Sequence, residues 1–185
     1  AYICPVGETC ELGCGDKLER PVQIGELQRF VAEYEREKGF KKFKTLPPNG
    51  KRVGLIGAGP AGLAAAFYLV CLGFEAELYE ASELVGGILS YGIPDHRLLP
   101  EVVKDEIDFI AASGVQIFTN SPVLDLVEFV NKYDAVFIGV GANRPVKLNV
   151  PGENLVGVEQ AIDYLSNRAV VRRLERSSNP KLGKG

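Results

Sequence analysis

An apolar run, VGLIGAGPAG, occupies residues 53–62 and contains the pattern Gly57-x-Gly59-x-x-Gly62, which an alanine-rich stretch follows. Apolar residues of this kind fill a buried parallel strand, and the alanines favour a helix that packs back on it. Glycines at the junction keep the turn tight and allow a pyrophosphate to approach the backbone at the helix N-terminus. The pattern predicts a dinucleotide-binding unit, and a purely structural glycine-rich turn is the alternative.

The residues that follow strengthen the dinucleotide prediction. After a helix stop at Gly73, a second strand is predicted over residues 75–80, and it closes on Glu80. An acidic residue about 20 positions beyond the glycines is the expected partner of the ribose hydroxyls. A lone GxGxxG pattern occurs often by chance, whereas this order of strand, glycines, helix, strand and acid is specific.

The rest of the chain continues to alternate between strand and helix patterns. Apolar residues between Ile24 and Tyr34 form a helical stripe that stops at Gly39, and a later amphipathic helix ends at Ser113. The segment between residues 87 and 100 is expected to be irregular. Four further elements are predicted: a strand over 115–119, a short helix over 124–131, a strand over 135–140 and a helix over 159–168. This alternation predicts an α/β fold with a parallel sheet.

Composition narrows the classes of partner. The net charge of the 185 residues is −3, which argues against nucleic acid because phosphate binding favours a basic balance. The longest apolar stretch, residues 63–74, is shorter than the roughly 20 residues that span a bilayer. No signal segment opens the chain, so we expect a cytoplasmic protein. Because the sequence starts at Ala1 and contains no Met, we expect an internal piece of a longer protein.

Cys4, Cys10 and Cys14 cluster near the start of the chain. Clustered cysteines in a cytosolic protein favour metal or redox chemistry over disulfides. A zinc site takes four Cys or His ligands and the single His is the distant His96, while a cubane cluster takes four thiolates. Three thiolates are therefore too few to complete either kind of site. Free thiols in a solvated loop, or a piece that has lost its other ligands, remain the alternatives, and Cys71 is expected to be a buried hydrophobe.

Three parts of the sequence, in collinear order, resemble one known family. Residues 4–14 and 20–30 are similar to the N-terminal iron–sulfur segment of the NADPH-dependent glutamate synthase small subunit. Residues 53–69 and 78–100 resemble the FAD domain of that family, and residues 133–158 resemble the strand that returns to it. The same module occurs in dihydropyrimidine dehydrogenase and in the large subunit of bifurcating ferredoxin–NADP oxidoreductases.

The resemblance implies a set of flavin contacts. The residues that would cradle the pyrophosphate are Gly57, Gly59, Pro60, Ala61 and Gly62, with Gly141 and Ala142 closing over it. Glu80 would accept hydrogen bonds from the adenosine ribose, and Gly87 would let the backbone approach the flavin. The remaining implied contacts are Leu89, Arg97 and Leu98 beside the isoalloxazine and Val123 at the adenine. Core packing is the alternative for the three apolar residues, and a surface charge is the alternative for Arg97. No residue is assigned a catalytic role.

The resemblance also implies two [4Fe–4S] clusters. Cys4 and Cys10 would ligate one cluster and Cys14 the other. Gln28 takes the position of the family's non-cysteine ligand, with a solvated helix residue as the alternative. Because the family places further cysteine ligands upstream, we expect this chain to ligate the clusters only in part.

The function implied by the resemblance is that of an oxidoreductase. NADPH would reduce FAD, and the electrons would leave through iron–sulfur clusters to a partner catalytic subunit. Three parts are expected: a Cys-rich helical segment at 1–45, an incomplete Rossmann-like FAD domain at 46–168, and a linker at 169–185 toward an NADPH domain. NADPH is expected to bind the intact protein outside this chain, which has no second glycine pattern. The alternatives are a non-catalytic interaction scaffold with an incomplete pocket and an NAD-dependent enzyme that uses the first glycine pattern.

Overall fold

The computed structural model describes residues 2–15, 21–39, 43–142, 144–167 and 169. The chain divides into two compact units, residues 1–43 and residues 44–185. The tail that was expected to be extended lies outside the described residues, apart from residue 169.

The first unit contains a short 3-10 turn, Val6–Glu8, and one long helix, α1 (Ile24–Lys38). α1 ends at Gly39, whose φ of +67° places it in the left-handed region, and this confirms the predicted stop. The Glu11 carboxylate accepts the Gly25 N–H at 2.9 Å and ties the Cys-rich loop to the first turn of the helix. No residue of α1 is buried, so its apolar stripe faces outward.

The second unit is built on a four-stranded parallel sheet in the order β3-β2-β1-β4. The strands are β1 (Arg52–Ile56), β2 (Glu75–Tyr79), β3 (Gln116–Phe118) and β4 (Ala135–Ile138). The sheet confirms the predicted α/β class, because its strands are parallel and helices lie between them in the chain. β3 and β4 are shorter than predicted, by one residue at each end of β3 and by two at the C-terminal end of β4.

Helices connect the strands. They are α2 (Pro60–Cys71), α3 (Ile88–Tyr91), α4 (Pro100–Ala112) and α5 (Leu126–Val130), and residues 161–167 are also helical. The expectation of an irregular segment over 87–100 was wrong in its first part. Gly87 turns the chain into α3, and the Gly92 N–H closes that helix on the Ile88 carbonyl.

The core lies between one face of the sheet and α2 with α4. Leu55 and Leu78 are adjacent in register on β1 and β2, and both have no exposed surface. Burial of such side chains stabilises the fold by about 1.5–3 kcal/mol each. Cys71 is only half-buried, which corrects the expectation of a buried residue, because it is the last residue of α2. In the described part of the chain, no helix is long and apolar enough to cross a membrane.

The opposite face of β1 is covered by aromatic rings at Gly54. A Cβ on Gly54 would stand 2.6 Å from the Tyr133 ring and 2.8 Å from the Phe129 ring. Glycine is therefore required in the middle of this strand because the rings rest on its backbone.

Candidate dinucleotide site

The glycine loop joins β1 to α2, and the physical reason for having glycine differs from one of its positions to the next. Gly57 has a φ of +97°, and a Cβ there would lie 2.6 Å from the Gly139 carbonyl oxygen at the end of β4. A Cβ on Gly62 would lie 1.9 Å from the Gly57 oxygen, so Gly62 allows α2 to pack on the loop. Gly59 differs from both, since its φ is −77° and a Cβ would have the Gly87 Cα, 4.0 Å away, as its nearest neighbour.

The N-terminus of α2 points its backbone at this loop. Gly59 is the N-cap residue and Pro60 is the first helical residue, so neither supplies a capping side chain. The first-turn N–H groups have no partner within the helix, and the helix dipole adds partial positive charge there. This end of α2 is suited to a diphosphate.

Glu80 lies directly after β2, and its carboxylate is turned toward the glycine loop. Its Oε2 accepts the Ala58 N–H at 2.9 Å, across the turn that joins β1 to α2. Its Oε1 accepts both the N–H and the hydroxyl of Ser82, each at 2.9 Å. The acid that follows the second strand is thus held at the loop predicted to receive the diphosphate.

A second glycine pair closes on the first loop. The Gly86 N–H donates to the Ala58 carbonyl at 2.8 Å. Gly87 has a φ of +54°, and a Cβ there would stand 2.8 Å from the Gly59 Cα. The two glycine-rich turns are therefore in backbone contact, which leaves no room for side chains between them.

These elements surround a cleft of about 890 Å³. Nine of the residues expected at the cofactor line it: Gly57, Gly59, Pro60, Ala61, Glu80, Gly87, Val123, Gly141 and Ala142. Gly62 is buried beneath the loop. Other residues that line the cleft were not predicted from the sequence, among them Tyr79, Ser82, Tyr91 and Ser121. Among these, only Ser82 had a signal in the sequence, because it lies two residues after Glu80, the predicted ribose ligand.

Tyr91 lines the cleft near Glu80. Burial, and then the negative charge of Glu80, raise the pKa of the Tyr91 hydroxyl. The phenol is protonated at neutral pH, as an unperturbed tyrosine also is.

Three predicted flavin contacts lie elsewhere. Leu89 and Leu98 line a separate cavity of about 620 Å³ beside α4, together with Val103 and Ile107. On helix α3, Ile88 lines the cleft and Leu89 lines the cavity, and the two spaces adjoin at Leu84, which lines both. Arg97 is exposed and lines neither of these two spaces.

The cysteines of the first unit are accessible. Cys4 and Cys10 are exposed, Cys14 is half-buried, and Gln28 is exposed on α1. Among the residues that the structure describes, no three Cys, His, Asp or Glu side chains group to hold a metal ion. Three thiolates and an amide also fall short of the four thiolates of a cubane, so these residues do not fit a complete cluster.

A partly buried polar cluster adjoins the cleft at Tyr79. The Tyr133 hydroxyl lies 2.7 Å from Glu77 Oε2 and 2.9 Å from the Tyr79 hydroxyl, and Arg52 pairs with Glu77 Oε1 at 2.5 Å. Burial alone would raise the pKa of Glu77, but the hydrogen bonds from Arg52, Tyr133 and Tyr79 outweigh it and lower that pKa. Burial, with Tyr79 and Glu77 beside it, raises the pKa of Tyr133.

The sequence of the chain matches a known family and several named proteins. Residues 51–182 match the pyridine nucleotide-disulphide oxidoreductase family. The chain is 35% identical over 169 residues to the NAD-dependent dihydropyrimidine dehydrogenase subunit PreT homolog of Salmonella typhi, covering 89% of this chain and 41% of that protein. It is 34% identical over 170 residues to the NADPH glutamate synthase small chain of Azospirillum brasilense, covering 89% of this chain and 35% of that protein.

A solved structure agrees with the fold. The structure of Mycobacterium tuberculosis FprA in complex with NADPH superposes with a TM-score of 0.57 at 24% identity, over 65% of this chain and 28% of FprA. The chain thus spans less than half the length of these relatives.

Proposed function

Because the chain belongs to the pyridine nucleotide-disulphide oxidoreductase family, we propose that its second unit binds FAD as part of an NAD(P)H-dependent oxidoreductase. The observation that carries the proposal is the convergence of two glycine turns, the α2 N-terminus and the Glu80 carboxylate on one cleft. Backbone donors and a helix dipole suit a diphosphate, and a carboxylate suits ribose hydroxyls. One site therefore offers groups suited to both the diphosphate and the ribose of an adenosine diphosphate group.

FAD is favoured over NAD because a second glycine turn lies against the first. Gly87 reaches the Gly59 backbone without a side chain, and this extends the side-chain-free surface beyond the diphosphate toward α3. Val123 and Ala142 also line the cleft, where Val123 would contact the adenine and Ala142 would cover the pyrophosphate. FAD would supply hydride and single-electron chemistry, while the chain binds and orients it.

The wider electron path is part of the same proposal. NADPH would bind elsewhere in the intact protein and reduce the flavin. Cys4, Cys10, Cys14 and Gln28 would each contribute one ligand to iron–sulfur clusters whose other ligands lie outside this chain. A partner subunit would take the electrons, in keeping with relatives that are named as a subunit and as a small chain. A cytoplasmic location, as expected from the sequence, is part of the proposal.

An interaction scaffold is the second candidate, and one observation favours it. The first unit exposes an apolar stripe on α1, where Leu27, Phe30 and Val31 are each more than half exposed. A scaffold would use this stripe without needing a cofactor. The two candidates differ in whether the cleft binds a nucleotide.

Calorimetric titration of the full chain with FAD, ADP and FMN tests the proposal. FAD and ADP should bind, and FMN should not, because it lacks the adenosine diphosphate that the loop and Glu80 recognise. Glu80→Gln should weaken ADP binding about tenfold, from the loss of a charge-assisted hydrogen bond. Glu83→Gln is the matched control, since Glu83 lines the other cavity. Absence of FAD and ADP binding, or FMN binding equal to that of FAD, would contradict the proposal.

A further inference from the structure

We propose that Ser82 is a positioning residue for Glu80, fixing the carboxylate in the orientation that binds the adenosine ribose; this rests on the function proposed above. Ser82 lies two residues beyond Glu80 and contacts it twice. Its N–H and its hydroxyl both donate to Glu80 Oε1 at 2.9 Å. One carboxylate oxygen is therefore held by a single residue.

Counting the hydrogen-bond acceptor positions of the Glu80 carboxylate shows how many remain for a ligand once Ser82 is bound to it. An ionised carboxylate has about four such positions, two on each oxygen. Ser82 fills two on Oε1, and the Ala58 N–H fills one on Oε2. One position remains, on the oxygen that also contacts the glycine loop. Ser82 thus determines which oxygen is open to a ribose hydroxyl.

The hydroxyl of Ser82 is itself directed. The Leu84 N–H donates to Ser82 Oγ at 3.3 Å, and the Leu84 carbonyl lies 3.1 Å from the same oxygen. The single hydroxyl proton can serve either the Leu84 carbonyl or Glu80, and the bond to the charged carboxylate is the stronger. The turn over residues 82–84 therefore aims the hydroxyl at Glu80.

A purely local role for Ser82 would resemble that of Ser90. The Ser90 hydroxyl donates to the Val85 carbonyl at 2.6 Å and stabilises the neighbouring turn. Ser90 lines the separate cavity beside α4 and not the cleft. Ser90→Ala is therefore the matched control for loss of a local side-chain hydrogen bond.

The test is calorimetric titration of the full chain with ADP and with 2′,3′-dideoxy-ADP. Ser82→Ala should weaken ADP binding about five- to tenfold, the loss expected for one hydrogen bond. Its affinity for dideoxy-ADP should equal that of the wild type, because that ligand has no ribose hydroxyl for Glu80. Ser90→Ala should bind both ligands as the wild type does.

A second pair of variants guards against a folding defect. Ser82→Thr and Ser82→Val have nearly the same shape and differ in the hydroxyl. The Thr variant should retain wild-type ADP affinity, and the Val variant should bind ADP about five- to tenfold more weakly, as Ser82→Ala does.

The outcomes separate this inference from the proposed function. Wild-type protein that binds neither ADP nor FAD would overturn both. Wild-type binding with an unchanged Ser82→Ala affinity would overturn the role of Ser82 alone. Equal weakening of ADP and dideoxy-ADP would also overturn it, because the effect would not act through the ribose contact of Glu80.

Discussion

Gly87 approaches Gly59 so closely that a Cβ on Gly87 would stand 2.8 Å from the Gly59 Cα. The approach is not symmetric, because a Cβ on Gly59 would have 4.0 Å to the Gly87 Cα and ordinary backbone angles. The fold therefore requires glycine at 87 but not at 59. We infer that glycine at 59 serves the ligand.

Gly59→Ala should separate folding from binding. The variant should lose about 1 kcal/mol of stability or less, because the new methyl group meets nothing closer than ordinary contact distance. Its affinity for FAD should fall at least about tenfold, because the methyl group occupies the approach to the α2 N-terminus. Urea unfolding and FAD titration measure the two effects. Unchanged FAD affinity in a stable variant would show that Gly59 has no role in binding.

In contrast to Gly59→Ala, the substitution Gly57→Ala should clearly lower the stability of the fold. Its φ of +97° and the Gly139 oxygen at 2.6 Å from a Cβ make the substitution strained. We expect a loss of about 1–3 kcal/mol in the free energy of unfolding, from urea titration without ligand. Gly15→Ala is the control, because its Cβ would have no neighbour within 4 Å. Equal stability of the Gly57 and Gly15 variants would contradict the loop geometry.

Much of this arrangement could be predicted from the sequence because it is local. The strand, the glycines and the helix that follows occupy one continuous segment, and their spacing fixes their order. The placement of Leu89 beside α4 was not predictable, because it depends on the direction in which α3 leaves Gly87. The role inferred for Ser82 also requires coordinates, since it depends on the distance to one oxygen of Glu80. The expected iron–sulfur ligands stay predictions, because three thiolates and one amide do not by themselves complete a cluster.

Tyr133→Phe tests the polar cluster behind the cleft. The variant removes the hydroxyl that contacts Glu77 and Tyr79 and leaves the ring on Gly54. We expect a loss of about 1–3 kcal/mol in the free energy of unfolding, because a partly buried carboxylate loses a donor. Tyr68→Phe is the control, since Tyr68 is exposed. The same stability for both variants would indicate that the cluster contributes no net stability.

The pH dependence of stability should report on Glu77. Its pKa is lowered in the folded state, so it stabilises the fold above the unfolded pKa and this contribution is lost as the pH falls through the folded value. The difference in unfolding free energy between wild type and Glu77→Gln should be largest near neutral pH and shrink below about pH 4. Glu75→Gln, at an exposed ion pair with Arg52, should show little difference at any pH. A difference in unfolding free energy between wild type and Glu77→Gln that grows as the pH falls would contradict this prediction.

The most direct test of the dinucleotide site is an amide chemical-shift titration of the chain with ADP. Saturable shifts should appear at Ala58, Gly59 and Ala61 in the loop and at Glu80 after β2. Amides around Leu98 and Val103 in the separate cavity should not respond. Shifts confined to that cavity, or none at saturating ADP, would contradict the assignment of the glycine loop to a diphosphate.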